Sequence, residues 1–142
     1  MLRDDYLLRL IEQVGRVLAR VREMLLGGEV VREAEVKQAA AVAGMDLGML
    51  RALTVESVPA LVNPSGRPDG LRCVLIAEVL FADALVARTR GDVAGEVDRM
   101  TKVEALLSAA EQDAEGAHRL LIAGRIAALR ELMRQAAPGI GG

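Results

Sequence analysis

The sequence predicts an all-α fold of antiparallel helical hairpins stacked on one another, with about five long helices and two short ones. Three observations predict it. Apolar residues recur at alternating spacings of three and four along most of the chain, the period of helices that bury one face. Glycines interrupt those runs at Gly27-Gly28, Gly44 and Gly91, where a helix stops and the chain turns. Tyr6 and Phe81 are the only aromatics, so the core has to come from Leu, Val, Ile, Ala and Met, which pack readily between helices.

The first helix is the clearest element. Leu7, Ile11, Val14, Leu18, Val21 and Leu25 form a heptad-like seam, widened to one side by Leu10, Val17 and Met24. Asp4 and Asp5 stand where the helix dipole favours acids. Gly15, in the interior, costs about 1 kcal/mol against Ala unless it admits a close neighbour. A second helix is expected from Glu29 to Ala43, with the small residues Ala39, Ala40, Val42 and Ala43 on its packing face. Two short helices follow, over Asp46–Ala52 and, from a Thr54 N-cap, to about Leu61. Asn63 to Gly70, dense in Pro, Gly and Asn, is the one true loop. Leu71 to Arg90 is apolar nearly all round and so belongs in the middle of the array. Val93, Val97, Met100, Val103, Leu107 and Ala110 mark an amphipathic helix to about Gln112. The last helix, Glu115 to Ala136, carries Ile122, Ile126, Leu129 and Met133 on one face and Ala123, Gly124, Ala127 and Ala128 on another. The whole chain, 1–142, is expected to form one domain: a hairpin over 4–43, short helices within 46–62, the loop 63–70, helices over 71–136 and a tail at 137–142.

Composition narrows the function classes. Hydrophobic residues make up 52% of the chain and charged residues 27%, so it is globular in composition and far from disordered. The 16 Arg against 2 Lys, with abundant Ala and Gly, look like GC-rich coding. A net charge of −2 with both signs interspersed lacks the basic patch of a nucleic-acid binder. The most apolar stretch, Cys73 to Ala87, is too short to span a bilayer and contains Glu78 and Asp83. Acids at Asp4 and Asp5 do not suit a secretory signal. No nucleic-acid partner, no membrane association and a cytoplasmic location are the expectations. Cys73, the single cysteine, has no partner for an internal disulfide.

Two short segments echo one another. Gly28-Glu29-Val30-Val31-Arg32-Glu33 and Gly91-Asp92-Val93-Ala94-Gly95-Glu96 share Gly, acid, Val, apolar, any, Glu, as two stacked hairpins would. The turn Arg90-Gly91-Asp92 between long helices resembles that of tetratricopeptide-type repeats, which implies tetratricopeptide-like packing without a true repeat array. The opening Asp4-Asp5-Tyr6-Leu7-Leu8-Arg9-Leu10-Ile11-Glu12-Gln13-Val14-Gly15-Arg16, followed by a Gly-centred turn and Met45-Asp46-Leu47-Gly48-Met49-Leu50, resembles an uncharacterised family of small bacterial all-helical proteins. That resemblance implies a fold and no activity.

Candidate chemistry is sparse. Glu115 and His118 have the spacing that sets two metal ligands on one helix face, but His118 is the only histidine and a dipole-favoured Glu at a helix start explains Glu115. No phosphate-cradling loop, Cys-x-x-Cys pair or nucleophile elbow occurs; no metal, cofactor or enzymatic activity is expected. Glu78 and Asp83 are the polar residues that the pattern buries, and a buried carboxylate needs a partner or a raised pKa; an Arg such as Arg16 or Arg72 is the expected partner. The stripe Arg9, Arg16, Arg20 reads first as a solvated helix face. The functional expectation is a self-associating protein–protein interaction or scaffold module, its contact surface on the first helix (Leu7, Ile11, Val14, Leu18, Val21, with Arg9, Arg16 and Arg20). The alternative is a carrier of a small apolar ligand in a cavity between helices, gated by Glu78 or Asp83.

Overall fold

The computed structural model describes residues 2–28, 33–58, 69–112 and 118–136. All regular structure in them is helical: α1 (Leu2–Leu26), α2 (Glu33–Val42), α3 (Leu47–Ala52), α4 (Gly70–Thr89), α5 (Val93–Glu111) and α6 (Arg119–Ala136). The expected second helix, last helix and second short helix extend at one end into residues outside those described. Around the latter, Ser57 N donates to Thr54 O across 3.0 Å in a turn. The expected loop 63–70 and tail 137–142 also lie outside, apart from Asp69 and Gly70.

Local chemistry sets the boundaries. Asp46, Asp69 and Asp92 each accept a backbone N–H three residues on, from Met49, Arg72 and Gly95, and so cap the starts of α3, α4 and α5. Gly28, Gly44 and Gly91 have φ of 74°, 76° and 70°, the left-handed conformation in which helices commonly end. After α2 and α4 the closing bonds run from Met45 N to Ala40 O (2.8 Å) and from Asp92 N to Ala87 O (3.0 Å), the six-to-one bond of a Schellman ending. Gly95 answers to its own cap: a Cβ there would run into the Asp92 carboxylate.

α4 is the axis of the molecule. Every residue from Cys73 to Ala87 is buried, as expected for a helix apolar all round. α5 turns back along it after Gly91, α1 and α2 pack on it, and α6 leans on both α4 and α5. One apolar cluster gathers residues from all six helices.

Two faces depart from expectation. In α5, Val103, Leu107 and Ala110 are buried, but Val93 and Val97 are 69% and 59% exposed. The inward positions of its first turns belong to Arg99 and Lys102, drawn in by groups on α3 and α4. In α1, Leu7, Ile11, Val14, Leu18 and Val21 are all at most 5% exposed. The seam expected to be an intermolecular contact surface is occupied by the chain's own α4 and the core behind it. This corrects the choice of surface: a stripe wider than a coiled-coil seam is what a helix of a globular core needs.

Candidate functional site

Glu78 and Asp83 lie five residues apart on α4, about 140° around the helix, so they look to opposite flanks. Asp83, 1% exposed, faces α3 and α5. Arg51 grips it side-on, Nε to Oδ2 at 2.9 Å and Nη2 to Oδ1 at 2.6 Å, and Arg99 Nε adds a third donor at 3.0 Å. A carboxylate held by a planar fork is the strong form of a charge-assisted bond. Arg51 Nη1 continues to Glu33 in the first turn of α2, where the guanidinium holds that carboxyl below its usual range. The Asp83 bond and the Glu33 bond raise the Arg51 pKa further against its partial burial.

Lys102 completes this cluster. Its side chain is fully buried, and its three N–H donors are all used: Leu50 O at 3.1 Å, Arg51 O at 2.9 Å and Asp98 Oδ2 at 2.8 Å. Two of these are carbonyls in the last turn of α3, which otherwise lack intrahelical partners. A six-residue helix does not hold itself. Asp46 caps its start, Lys102 its end, and Arg51 pins its side to α4 and α2. Three carboxylates (Glu33, Asp83, Asp98) meet three cations, so the cluster is electrically neutral.

Glu78, 3% exposed, faces α6 and α1. Arg125 of α6 places Nη2 2.6 Å from Glu78 Oε1 and donates from the same nitrogen to Ile11 O of α1 at 3.3 Å. Gly15 leaves room for this: a Cβ there would lie 2.9 Å from Arg125 Nη2. Glu78 Oε2 and Arg125 Nε have no hydrogen-bond partner. Burial outweighs the attraction of Arg125, and the Glu78 carboxyl is pushed up to about 7. The expectation that arginines neutralise both acids holds in kind, but the partners are Arg125, Arg51 and Arg99, not Arg16 or Arg72. Arg16 is exposed beside Glu12 (3.8 Å), Arg20 reaches Glu35 of α2 (3.5 Å) and Arg9 is exposed. The Arg9, Arg16, Arg20 stripe thus lies on the outer side of α1.

The exterior feature that sequence reasoning passed over lies on α6. Between it and the end of α5 runs a groove of 660 Å³, lined by Ala110, Leu120, Ile122, Ala123, Ile126 and Ala127, with Arg119 and Arg134 toward its two ends. A smaller cleft of 130 Å³ lies over Glu78 and Arg125 between α1 and α6. Leu120 is 80% exposed, Leu121 42%. Among the described residues, no three His, Cys, Asp or Glu side chains converge as a metal site, and no helix is long and apolar enough to cross a membrane. His118 makes an interaction within the fold; Glu115 lies outside the described residues. No family model, curated protein or solved structure matches the chain.

Proposed function

We propose that this chain is a protein–protein interaction or scaffold module that self-associates, without enzymatic activity of its own. The observation that carries the reading is the exposed apolar surface of α6 and its groove, set against an interior whose charged groups are taken up in holding helices together. Glu33, Asp83 and Asp98 with Arg51, Arg99 and Lys102 form a neutral staple around α3, and Glu78 ties α6 to α4 through Arg125. Among the described residues, the bonds that Asp83 and Glu78 make run to arginines, and general acid–base work needs a reacting partner within hydrogen-bond reach. The stacked hairpins, which we read as tetratricopeptide-like packing in a cytoplasmic protein, give such a module a rigid frame. Sedimentation velocity over a range of concentrations tests the reading: a reversible shift to a larger species is expected, and a monomer throughout rules out self-association.

A second reading has one observation behind it. The α5–α6 groove, 660 Å³, falls in the range of roughly 300–1,000 Å³ typical of small-ligand sites, so a carrier of an apolar ligand would use this groove. Native mass spectrometry of the purified protein checks it: a co-purifying small molecule supports the carrier, and a bare chain mass counts against it.

A further inference from the structure

α1 and α6 both pack on α4 but not closely on each other, and a furrow runs between them with α4 as its floor. Two clefts lie in line along it. The first, 130 Å³, has the small residues Gly15, Ala19 and Ala128 in its walls and is lined also by Glu78 and Arg125. The second, 210 Å³, has Phe81 and Leu85 of α4 at its floor, with Leu25 beside them. Arg22 and Leu132 line both, so the clefts meet there. From Gly15 to Leu26 along α1 the furrow is about 16 Å long at 1.5 Å per residue. One end of it holds unused hydrogen-bonding groups. Glu78 gives Oε1 to Arg125 Nη2, but its Oε2 and the Nε of Arg125 are buried without a partner, and buried polar groups are nearly always paired. Arg22 is loosely held as well: its bond to Gln135 is 3.4 Å long. Arg22 and Arg125 are the charged groups that meet Glu78 at this cleft, whereas Glu33, Arg51 and Arg99 of α2, α3 and α5 gather around Asp83 on the opposite flank of α4. The first cleft therefore sets two cations against one carboxyl.

We infer that this furrow binds a medium-chain carboxylic acid, its carboxylate between Arg125 and Glu78 and its alkyl chain running past Arg22 and Leu132 over Phe81 and Leu85. The inference is independent of self-association; it gives the carrier reading a different site and a class of ligand. Charge selects the head group. An anion answers the excess of cations and accepts from Arg125 Nε, whereas an amine is repelled by both arginines and an alcohol leaves Arg22 unanswered. Burial holds the Glu78 carboxyl up at about 7, so below that pH it supplies an O–H to the bound carboxylate, a charge-assisted bond. Shape selects the tail, since the furrow is long, narrow and floored by apolar side chains. Seating the head group displaces Arg22 and Leu132. Neither Glu78 Oε2 nor Arg125 Nε is open to water with the walls as they stand, and those two side chains at the junction are only partly buried.

Octanoate is the probe, with butyrate and octanol beside it, each titrated at pH 6 into methyl-labelled protein at one fixed protein concentration and read by NMR. Octanoate is expected to shift the methyl groups of Leu18, Leu85 and Leu132. It should bind at least tenfold more tightly than butyrate, because its extra CH₂ groups leave water, and at least tenfold more tightly than octanol. Its affinity should fall about tenfold between pH 6 and pH 8 as the Glu78 proton is lost. Glu78→Gln, which keeps a donor with no proton to lose, should bind with no such pH dependence. Ala128→Leu fills the mouth of the first cleft from an exposed position and should abolish binding with thermal stability unchanged, Leu being nearly as good a helix former as Ala. Equal binding of octanol overturns the carboxylate head group. A wild-type affinity that is the same at pH 6 and pH 8 overturns the role of Glu78. Binding that survives Ala128→Leu, with shifts confined to Ala110, Ile122 and Ala127, overturns the site and moves the carrier reading back to the α5–α6 groove. No saturable shift up to roughly 10 mM octanoate overturns the inference, leaves self-association standing, and makes a bridging water the partner of Glu78 Oε2 and Arg125 Nε.

Discussion

At the scale of single residues, the fold depends on a few charged side chains that its apolar core had to accommodate. Glu78 is the most sensitive of them. Its carboxyl is pushed from 4.5 to about 7 by burial, with Arg125 pulling the other way. The folded state therefore holds this proton more tightly than the unfolded chain does. The resulting stabilisation is full below pH 4.5 and is lost progressively as pH rises through about 7, by about 3 kcal/mol in all. Glu78→Gln has no proton to lose at this position. Urea unfolding of both proteins at pH 5 and pH 8 is expected to show the wild type losing up to that amount relative to the variant between the two. Parallel pH dependences in the two proteins would mean that Arg125 keeps the carboxylate charged throughout.

At the scale of elements, α3 shows what the buried cluster does. Lys102→Met should keep much of the stem's packing in a site with no exposure but lose the donors to Leu50 O, Arg51 O and Asp98. Leaving buried carbonyls unsatisfied costs about 1–3 kcal/mol, and the loss falls first on the six-residue helix that they end. Hydrogen exchange is expected to speed up in α3 while the middle of α4 keeps its protection; equal acceleration in both would show that α3 is not separately held. The helices themselves were legible in the sequence, because glycine stops and the apolar period are local signals; the caps at Asp46, Asp69 and Asp92 were passed over. Leu71 to Arg90 as a buried helix follows from its composition alone, and the structure differs from that range by one residue at each end. The partners were not legible. Asp98 and Lys102 show an i,i+4 pair in the sequence, but nothing local says that Lys102 turns inward to cap a helix some fifty residues earlier. Nor does α1 disclose that its seam belongs to α4: one amphipathic helix presents the same stripe whether its cover is in the same chain or in another.

At the scale of the whole molecule, the helices are unequally held. α4 is enclosed by α1, α2, α5 and α6, whereas α6, among the described residues, packs mainly on α4 and α5 and bonds α1 through Arg125 and Gln135. Its buried apolar residues are Ile122, Ile126 and Leu129. Its polar ties are Arg125 to Glu78, Arg130 to Glu104 and Glu111, and a 3.4 Å bond from Arg22 to Gln135. Of these ties, only Arg125–Glu78 is sheltered, and exposed pairs contribute about 0–1 kcal/mol each. Three buried apolar side chains, Leu132, Met133 and Ala136 packed partly buried against the core, and Arg125 with its bonds to Glu78 and Ile11 O are a smaller hold than the α4–α5 hairpin has, so α6 should open as a unit before the rest unfolds. Native-state hydrogen exchange in low denaturant is expected to show the amides of α6 exchanging together, at a lower opening free energy than those of α4. Ile126→Ala, which removes one of the three anchors at about 2–5 kcal/mol, should lower protection in α6 while α4 and α5 keep most of theirs. Exchange of α6 in step with α4, in both proteins, would show a single cooperative unit.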